Sequence, residues 1–237
     1  MGSLEGKTVY ITGATHGIGR ALAVRLAREK TNLALCGRDR NALAEVEDAA
    51  MAEGARTLCA KSFDIANEAD ILDFYRESRT RVGPPSILVS NAGYNSRKAW
   101  LWEVTTGEFD NLIAVNLRAP FVLIREAFPD MKKAGSGHVV VILSTTCRFD
   151  IETMSAYTAA KKGLEGLVDV FRKEARPHNI RVTSIYPGGT DTQFRRTPRP
   201  DYLRPKSVAE AVVQALLLPE DLVMHEMIFR PMVETSF

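Results

Sequence analysis

Seven short apolar runs, most of them rich in β-branched residues, recur along the chain: TVYIT at 8–12, LALC at 33–36, RTLCAKS at 56–62, SILVS at 86–90, HVVVIL at 138–143, RVTSIY at 181–186 and EMIF at 226–229. Between them, stretches near 18–29, 41–53, 67–81, 107–133, 155–176 and 207–217 space their apolar residues at helical intervals. Strands this continuously apolar are buried on both faces, as parallel strands are. Their alternation with helices over short connections predicts right-handed βαβ crossovers. The expected fold is α/β, a single doubly wound domain over 1–237 with a parallel sheet of about seven strands. One segment breaks the alternation. QFRRTPRPDYLRPK (193–206) is rich in Pro and Arg and reads as a long loop, of the kind that often carries function.

Composition narrows the class. Apolar residues are 45% and charged residues 25% of the 237, which suits a globular protein with a substantial core. The net charge of +2 provides no basic field for nucleic acid or an acidic membrane surface. No apolar run approaches the roughly 20 residues that span a bilayer. The opening MGSLEGKTVYITG lacks an apolar leader, so a cytoplasmic protein is expected. Cys36, Cys59 and Cys147 are odd in number and widely spaced, which suggests buried thiols rather than a disulfide framework or a metal site. The final ETSF reads as a frayed tail.

Two short patterns carry chemistry. The first apolar run leads into TGATHGIG (12–19) and then a helix. Gly13, Gly17 and Gly19 allow a tight turn and a close approach to a pyrophosphate, and the helix N-terminus points backbone donors at it. That placement predicts a dinucleotide site and a Rossmann-type domain. In SAYTAAKKGLEGL (155–167), Tyr157 and Lys161 lie one helical turn apart and share a face. An ammonium there favours ionisation of the phenol, whose ordinary pKa is near ~10, and so makes a proton donor and acceptor.

Together these patterns resemble the short-chain dehydrogenase/reductase family. The resemblance rests on Thr-Gly-x-x-x-Gly-x-Gly, SNAG (90–93), the Asn of VNLRAPF (115–121), Ser144 thirteen residues before Tyr157, Tyr-x-x-x-Lys, and PGGTDT (187–192), in family order over nearly the whole chain. It implies an oxidoreductase in which Tyr157 is the general acid or base, and Ser144 bonds the substrate oxygen. Lys161 would hold the nicotinamide ribose, and Asn116 would anchor a water between Lys161 and solvent. It further implies cofactor contacts from Thr15, His16 and Ile18 of the glycine turn and from Asp64 and Ile65 at the adenine edge. Asn91, Ala92 and Gly93 would follow, then Pro187, Gly188, Thr190 and Thr192 beyond the sixth strand, with Tyr157 and Lys161 themselves. Asp64 has an alternative role as N-cap of the next helix. The first Asn of the usual Asn-Asn-Ala-Gly is Ser90 here. Relatives pair through the helices at 107–133 and 155–176, which implies a homodimer or homotetramer.

Three further readings come from the residues. Pro120 has no N–H to give the Asn116 carbonyl, so the helix is expected to kink there and leave an acceptor for a water. At the end of the second strand Gly37 stands where an NAD-preferring relative carries a carboxylate, and Arg38 follows. No negative charge repels a 2′-phosphate, so NADP(H) is the expected cofactor, with His16 a weaker cation than the Lys or Arg common there and Asp39 turned to solvent. Loop 193–206 holds Arg195, Arg196, Arg199, Arg204 and Lys206 against Asp201 alone. With Arg148 it reads either as a lid for an anionic substrate or as a solvated charged loop. Tyr94, Trp100, Trp102, Phe149 and Met154 are candidates for an apolar pocket wall, core packing being the alternative for the tryptophans.

The expected substrate is a small-molecule carbonyl or secondary alcohol. A carrier-bound 3-oxoacyl substrate is the close variant, although the chain ends soon after the last strand without the glycine-rich tail common in ketoacyl reductases. A cofactor-binding regulator without catalysis would be expected to lack Tyr, Lys or Ser, and all three are present.

Overall fold

The computed structural model describes residues 2–194 and 197–235. In chain order the elements are β1 Thr8–Thr12, α1 Gly17–Ala27, β2 Asn32–Gly37, α2 Arg40–Ala52, β3 Thr57–Ser62, α3 Glu68–Arg81 and β4 Ile87–Ser90. There follow α4 Thr106–Ile113, α5 Ala119–Ala134, β5 Gly137–Ile142, α6 Ser155–Ala175, β6 Ile180–Pro187, α7 Pro205–Leu216 and β7 Glu226–Phe229. All seven strands join one parallel sheet in the order β3-β2-β1-β4-β5-β6-β7.

The sheet is covered on both faces at its centre, which is why the inner strands are apolar without alternation, whereas the edge strands β3 and β7 are partly exposed. On β1, Tyr10 and Ile11 are neighbours in sequence and point to opposite layers. Tyr10 packs with Phe74 of α3, in a layer that also holds Leu123 and Met131 of α5 and Leu164 of α6. Ile11 belongs to the opposite layer, with Leu22 of α1, Val46 of α2 and Val212 of α7. The chain winds outward from β1 to β3, then returns to lay β4 on the other side of β1. That reversal opens a crevice at the carboxyl ends of β1 and β4, where doubly wound sheets bind ligands.

Two local features differ from expectation. The helix expected over 107–133 is interrupted by a π-helical turn, Ala114–Arg118, in which the Ala119 N–H donates to the Ala114 carbonyl five residues back. Pro120 cannot donate to the Asn116 carbonyl, and the π turn lies just before it in the chain. The C-terminal segment is not frayed as far as Glu234, whose carboxylate accepts the Gly189 N–H at 2.8 Å. Ser236 and Phe237 lie outside the described residues.

Candidate active site

The glycine turn is packed too closely for side chains. Gly17 has φ +56°, and a Cβ there would stand 2.9 Å from Thr192 Cγ2. A Cβ on Gly19 would overlap the Gly13 carbonyl oxygen. The turn is tied to the next loop of the crevice by Thr12 and Asn91. Thr12 Oγ1 accepts the N–H groups of Asn91 and Ala92 at 3.0 and 2.9 Å, and Asn91 Nδ2 donates to the carbonyls of Thr12 and Gly13 at 2.9 and 3.2 Å. His16, the residue before α1, makes no side-chain cap, so the first amides of α1 are left to a ligand.

From this turn a cleft of about 590 Å³ runs across the ends of β1, β4, β5 and β6. Its wall includes Gly13, Thr15, His16, Gly17 and Ile18, then Arg38, Asp64 and Ile65, then Asn91, Ala92 and Gly93. At the other end stand Ser144, Tyr157, Lys161, Pro187, Gly188, Thr190 and Thr192. Gly19 lies beneath the turn and Asn116 behind the wall, so neither faces the cleft.

Lys161 is 2% exposed and its Nζ donates to the Ile142 carbonyl at 3.0 Å. Burial pushes its pKa down to about 8, so it is still an ammonium at neutral pH. Its Nζ stands 5.9 Å from the centroid of the Tyr157 ring, one turn earlier on α6. Ser144 follows β5 and its Oγ accepts the Thr146 N–H at 3.2 Å, which sets the turn that presents it. Asn116 is fully buried. Its Nδ2 donates to the carbonyls of Tyr94 and Leu112 at 2.8 and 3.0 Å, and its Oδ1 accepts the Tyr94 N–H at 3.1 Å. Gly93 is the common neighbour: a Cβ there would lie 3.4 Å from Asn116 Oδ1 and 3.6 Å from Lys161 Nζ. The side chain of Asn116 is thus spent on the loop after β4 and on the Leu112 carbonyl.

At the far end, a side chain on Gly37 would run into Thr15 Cγ2, so a carboxylate at the end of β2 would have to displace Thr15. Arg38 is exposed, its guanidinium 5.7 Å from the Tyr94 ring centroid. Asp39 is not simply solvated. Its Oδ1 caps α2 by accepting the Asn41 and Ala42 N–H groups, and its Oδ2 lies 3.8 Å from His16 Nε2. Asp64 accepts the Ala66 N–H, whereas the N-cap of α3 is Asn67.

The expected substrate residues fare unevenly. Arg148 does not face the cleft. It pairs with Glu165 of α6, and its Nη2 donates to Tyr186 Oη and Glu226 Oε2, both at 3.0 Å. Those acceptors lie across α6, β6 and β7 and consume its donors. Arg195 and Arg196 lie outside the described residues. Arg199 forks onto Asp201 at 3.1 and 3.0 Å and lies over the Tyr202 ring. Tyr94 and Met154 do line the cleft, joined by Phe63, Ile151 and Phe194, whose ring is 5.9 Å from that of Tyr157. Trp100 and Trp102 instead stack on each other at 5.4 Å, 44% and 80% exposed, and belong to neither core nor cleft wall. Phe149 lies under Arg230. Sequence reasoning gave Thr12 no role although it opens the glycine motif, and it missed Glu234, which no motif marks.

The order of these parts along the chain matches a known family over most of its length. The family model for short chain dehydrogenase aligns with residues 7–203. The chain belongs to the short chain dehydrogenases. Among relatives of this family, sepiapterin reductase of Chlorobaculum tepidum is 33% identical over 234 residues, covering 94% of this chain and 95% of that one. Glycine betaine reductase ATRR of Emericella nidulans is 29% identical over 245 residues, 97% of this chain, and the match spans 19% of that protein's length. The alcohol dehydrogenase of Thermococcus sibiricus, solved with 5-hydroxy-NADP, superposes with a TM-score of 0.91 at 28% identity, covering 98% of this chain and all of that one. The chain is therefore an oxidoreductase of the short chain dehydrogenase family. Among the described residues, no helix is long and apolar enough to cross a membrane, and no cluster of His, Cys, Asp or Glu is placed to hold a metal.

Proposed function

We propose that the protein is an NADP(H)-dependent carbonyl reductase or alcohol dehydrogenase acting on a small or medium, uncharged ketone or aldehyde. The observation that carries this reading is the convergence of Ser144, Tyr157 and Lys161 at one end of a cleft whose other end is a glycine turn with no carboxylate at Gly37. The cradle at Gly17 and Gly19 suits a pyrophosphate, and Arg38 with His16 suits a 2′-phosphate. The nicotinamide supplies or accepts the hydride. Tyr157 donates its phenolic proton to the substrate oxygen in reduction and accepts one in oxidation. Lys161 stabilises the negative charge left on that phenol, and Ser144 bonds the oxygen as charge develops. Asn116 positions the loop at Tyr94, with its main-chain carbonyl holding the water through which Lys161 meets solvent.

An uncharged substrate is favoured over an anionic one because the described side chains around Tyr157 on the cleft wall include the apolar or aromatic Tyr94, Ile151, Met154 and Phe194. Turnover with a panel of neutral ketones, acidic ketones and carrier-bound 3-oxoacyl groups, each with NADPH and NADH, tests the reading. Neutral carbonyls with NADPH should head the panel. Turnover of the carrier-bound substrates alone would replace this assignment with the fatty-acyl variant, and no turnover of any carbonyl would overturn both.

A further inference from the structure

The Gly188–Gly189 turn after β6 has to hold one shape if it is to present Pro187, Gly188, Thr190 and Thr192 to one ligand. Two consecutive glycines have the largest conformational entropy to lose, so something must hold them. The described structure shows what does. The Gly188 N–H donates to the Phe229 carbonyl at 2.7 Å and the Gly189 N–H to Glu234 Oε1 at 2.8 Å. Both amides are therefore bound by the C-terminal segment. On the opposite side the Leu203 N–H donates to the Gly189 carbonyl at 3.0 Å. The turn sits so tightly between them that a Cβ on Gly188 would come to 2.6 Å from Glu234 Oε2, and one on Gly189 would overlap the Tyr202 ring.

The same segment also grips the loop that carries Ser144. Glu226 accepts Arg148 Nη2 at 3.0 Å. Arg230 lies 4.5 Å from the Phe149 ring centroid and donates Nε to Glu234 Oε2 at 3.1 Å. Glu226, Arg230 and Glu234 thus tie two loops of the cleft to each other, through residues 13% and 21% exposed at the Arg230–Glu234 pair. None of the three carries out the chemistry.

We propose that the segment 226–234 is a positioning element of the active site, in which Glu226 and Arg230 hold the Ser144 loop and Glu234 holds the Gly188–Gly189 turn in its ligand-binding shape. This rests on the cofactor reading above. Without the Glu234 bond the turn samples other conformations, and the cofactor binds only the competent fraction. A competent fraction of about one in ten weakens apparent affinity about tenfold. Because the turn is selected on binding, turnover at saturating cofactor changes little.

The test compares Glu234→Ala and Glu234→Gln with the wild-type full chain. Amide exchange at Gly189 is followed without cofactor, NADPH affinity by calorimetry, and KM for NADPH separately from kcat. Glu234→Ala should speed exchange at Gly189 and raise both Kd and KM for NADPH about tenfold, with kcat within about threefold. Glu234→Gln keeps an oxygen for the Gly189 N–H and should restore most of both effects. Wild-type affinity for NADPH in Glu234→Ala, or equal damage in both variants, overturns the proposal. If the wild-type chain binds neither NADPH nor NADH, the functional assignment fails, while the exchange rate at Gly189 still reports whether Glu234 holds the turn.

Discussion

Replacing Lys161 with Met should make the cofactor-free protein more stable while abolishing its activity. The Lys161 ammonium sits in a site that is 2% exposed, and burial lowers its pKa from 10.5 to about 8. That difference corresponds to about 3 kcal/mol against the charged form, at about 1.4 kcal/mol per pH unit. Removing the amine also removes its bond to the Ile142 carbonyl, which costs about 1 kcal/mol. A net gain of about 2 kcal/mol is expected at pH 7. The sign follows from proton binding. Between pH 8 and 10.5 the unfolded chain holds the Lys161 proton more tightly than the folded one, so wild-type stability gains from rising pH there. Below 8 the full penalty is present. The difference between variant and wild type should therefore be constant from pH 6 to 7.5 and shrink toward pH 10, and taking that difference cancels the other titrating groups. Urea unfolding of both proteins without cofactor measures it, and carbonyl turnover should fall at least ~100-fold in the variant. A variant less stable than wild type at pH 7, or a difference that ignores pH up to 10, would refute the reasoning.

Tyr157→Phe should keep its packing against Phe194 and its NADPH affinity but lose at least ~100-fold in kcat, and near-wild-type turnover would remove Tyr157 from its assigned role. Gly37→Asp alone should weaken both cofactors because its side chain displaces Thr15. Combined with Thr15→Ala it should prefer NADH, and a kcat/KM ratio still favouring NADPH in the double variant would refute the charge argument. His138 is buried on β5, with Nε2 2.8 Å from Thr183 Oγ1, and burial beside Arg181 pushes its pKa down to about 3 from 6.5. The unfolded chain takes up that proton first, so stability should fall with pH from 6.5 toward 3 by up to about 1.4 kcal/mol per pH unit. His138→Leu should lose that slope in urea melts, and an unchanged slope would place the acid sensitivity elsewhere.

The strands and helices were legible because burial on both sheet faces leaves a local mark, a short run without polar residues. The site's order along the chain was legible for a related reason. A turn with no space for a Cβ accepts only glycine, and a Tyr and Lys four apart on a helix lie on one face. The side chains that reach across the fold were not legible. Arg148 stands four residues from Ser144, yet its partners are Glu165, Tyr186 and Glu226, which only β6, β7 and α6 bring together. Pro120 announced a missing bond, but nothing along the chain announced the π turn that precedes it.

By itself, then, the sequence determined what depends on spacing along one element: the seven strands, the glycine turn, the acid–base pair and the absence of a carboxylate at Gly37. The tertiary structure decided what depends on distance between elements. Burial of Lys161, the close approach of Thr15 to Gly37, and the hold of Glu234 on Gly189 all join residues far apart in sequence, through contacts that leave no periodicity in the chain. Local geometry is written in neighbouring residues, whereas desolvation and clamping exist only once the sheet has closed its layers.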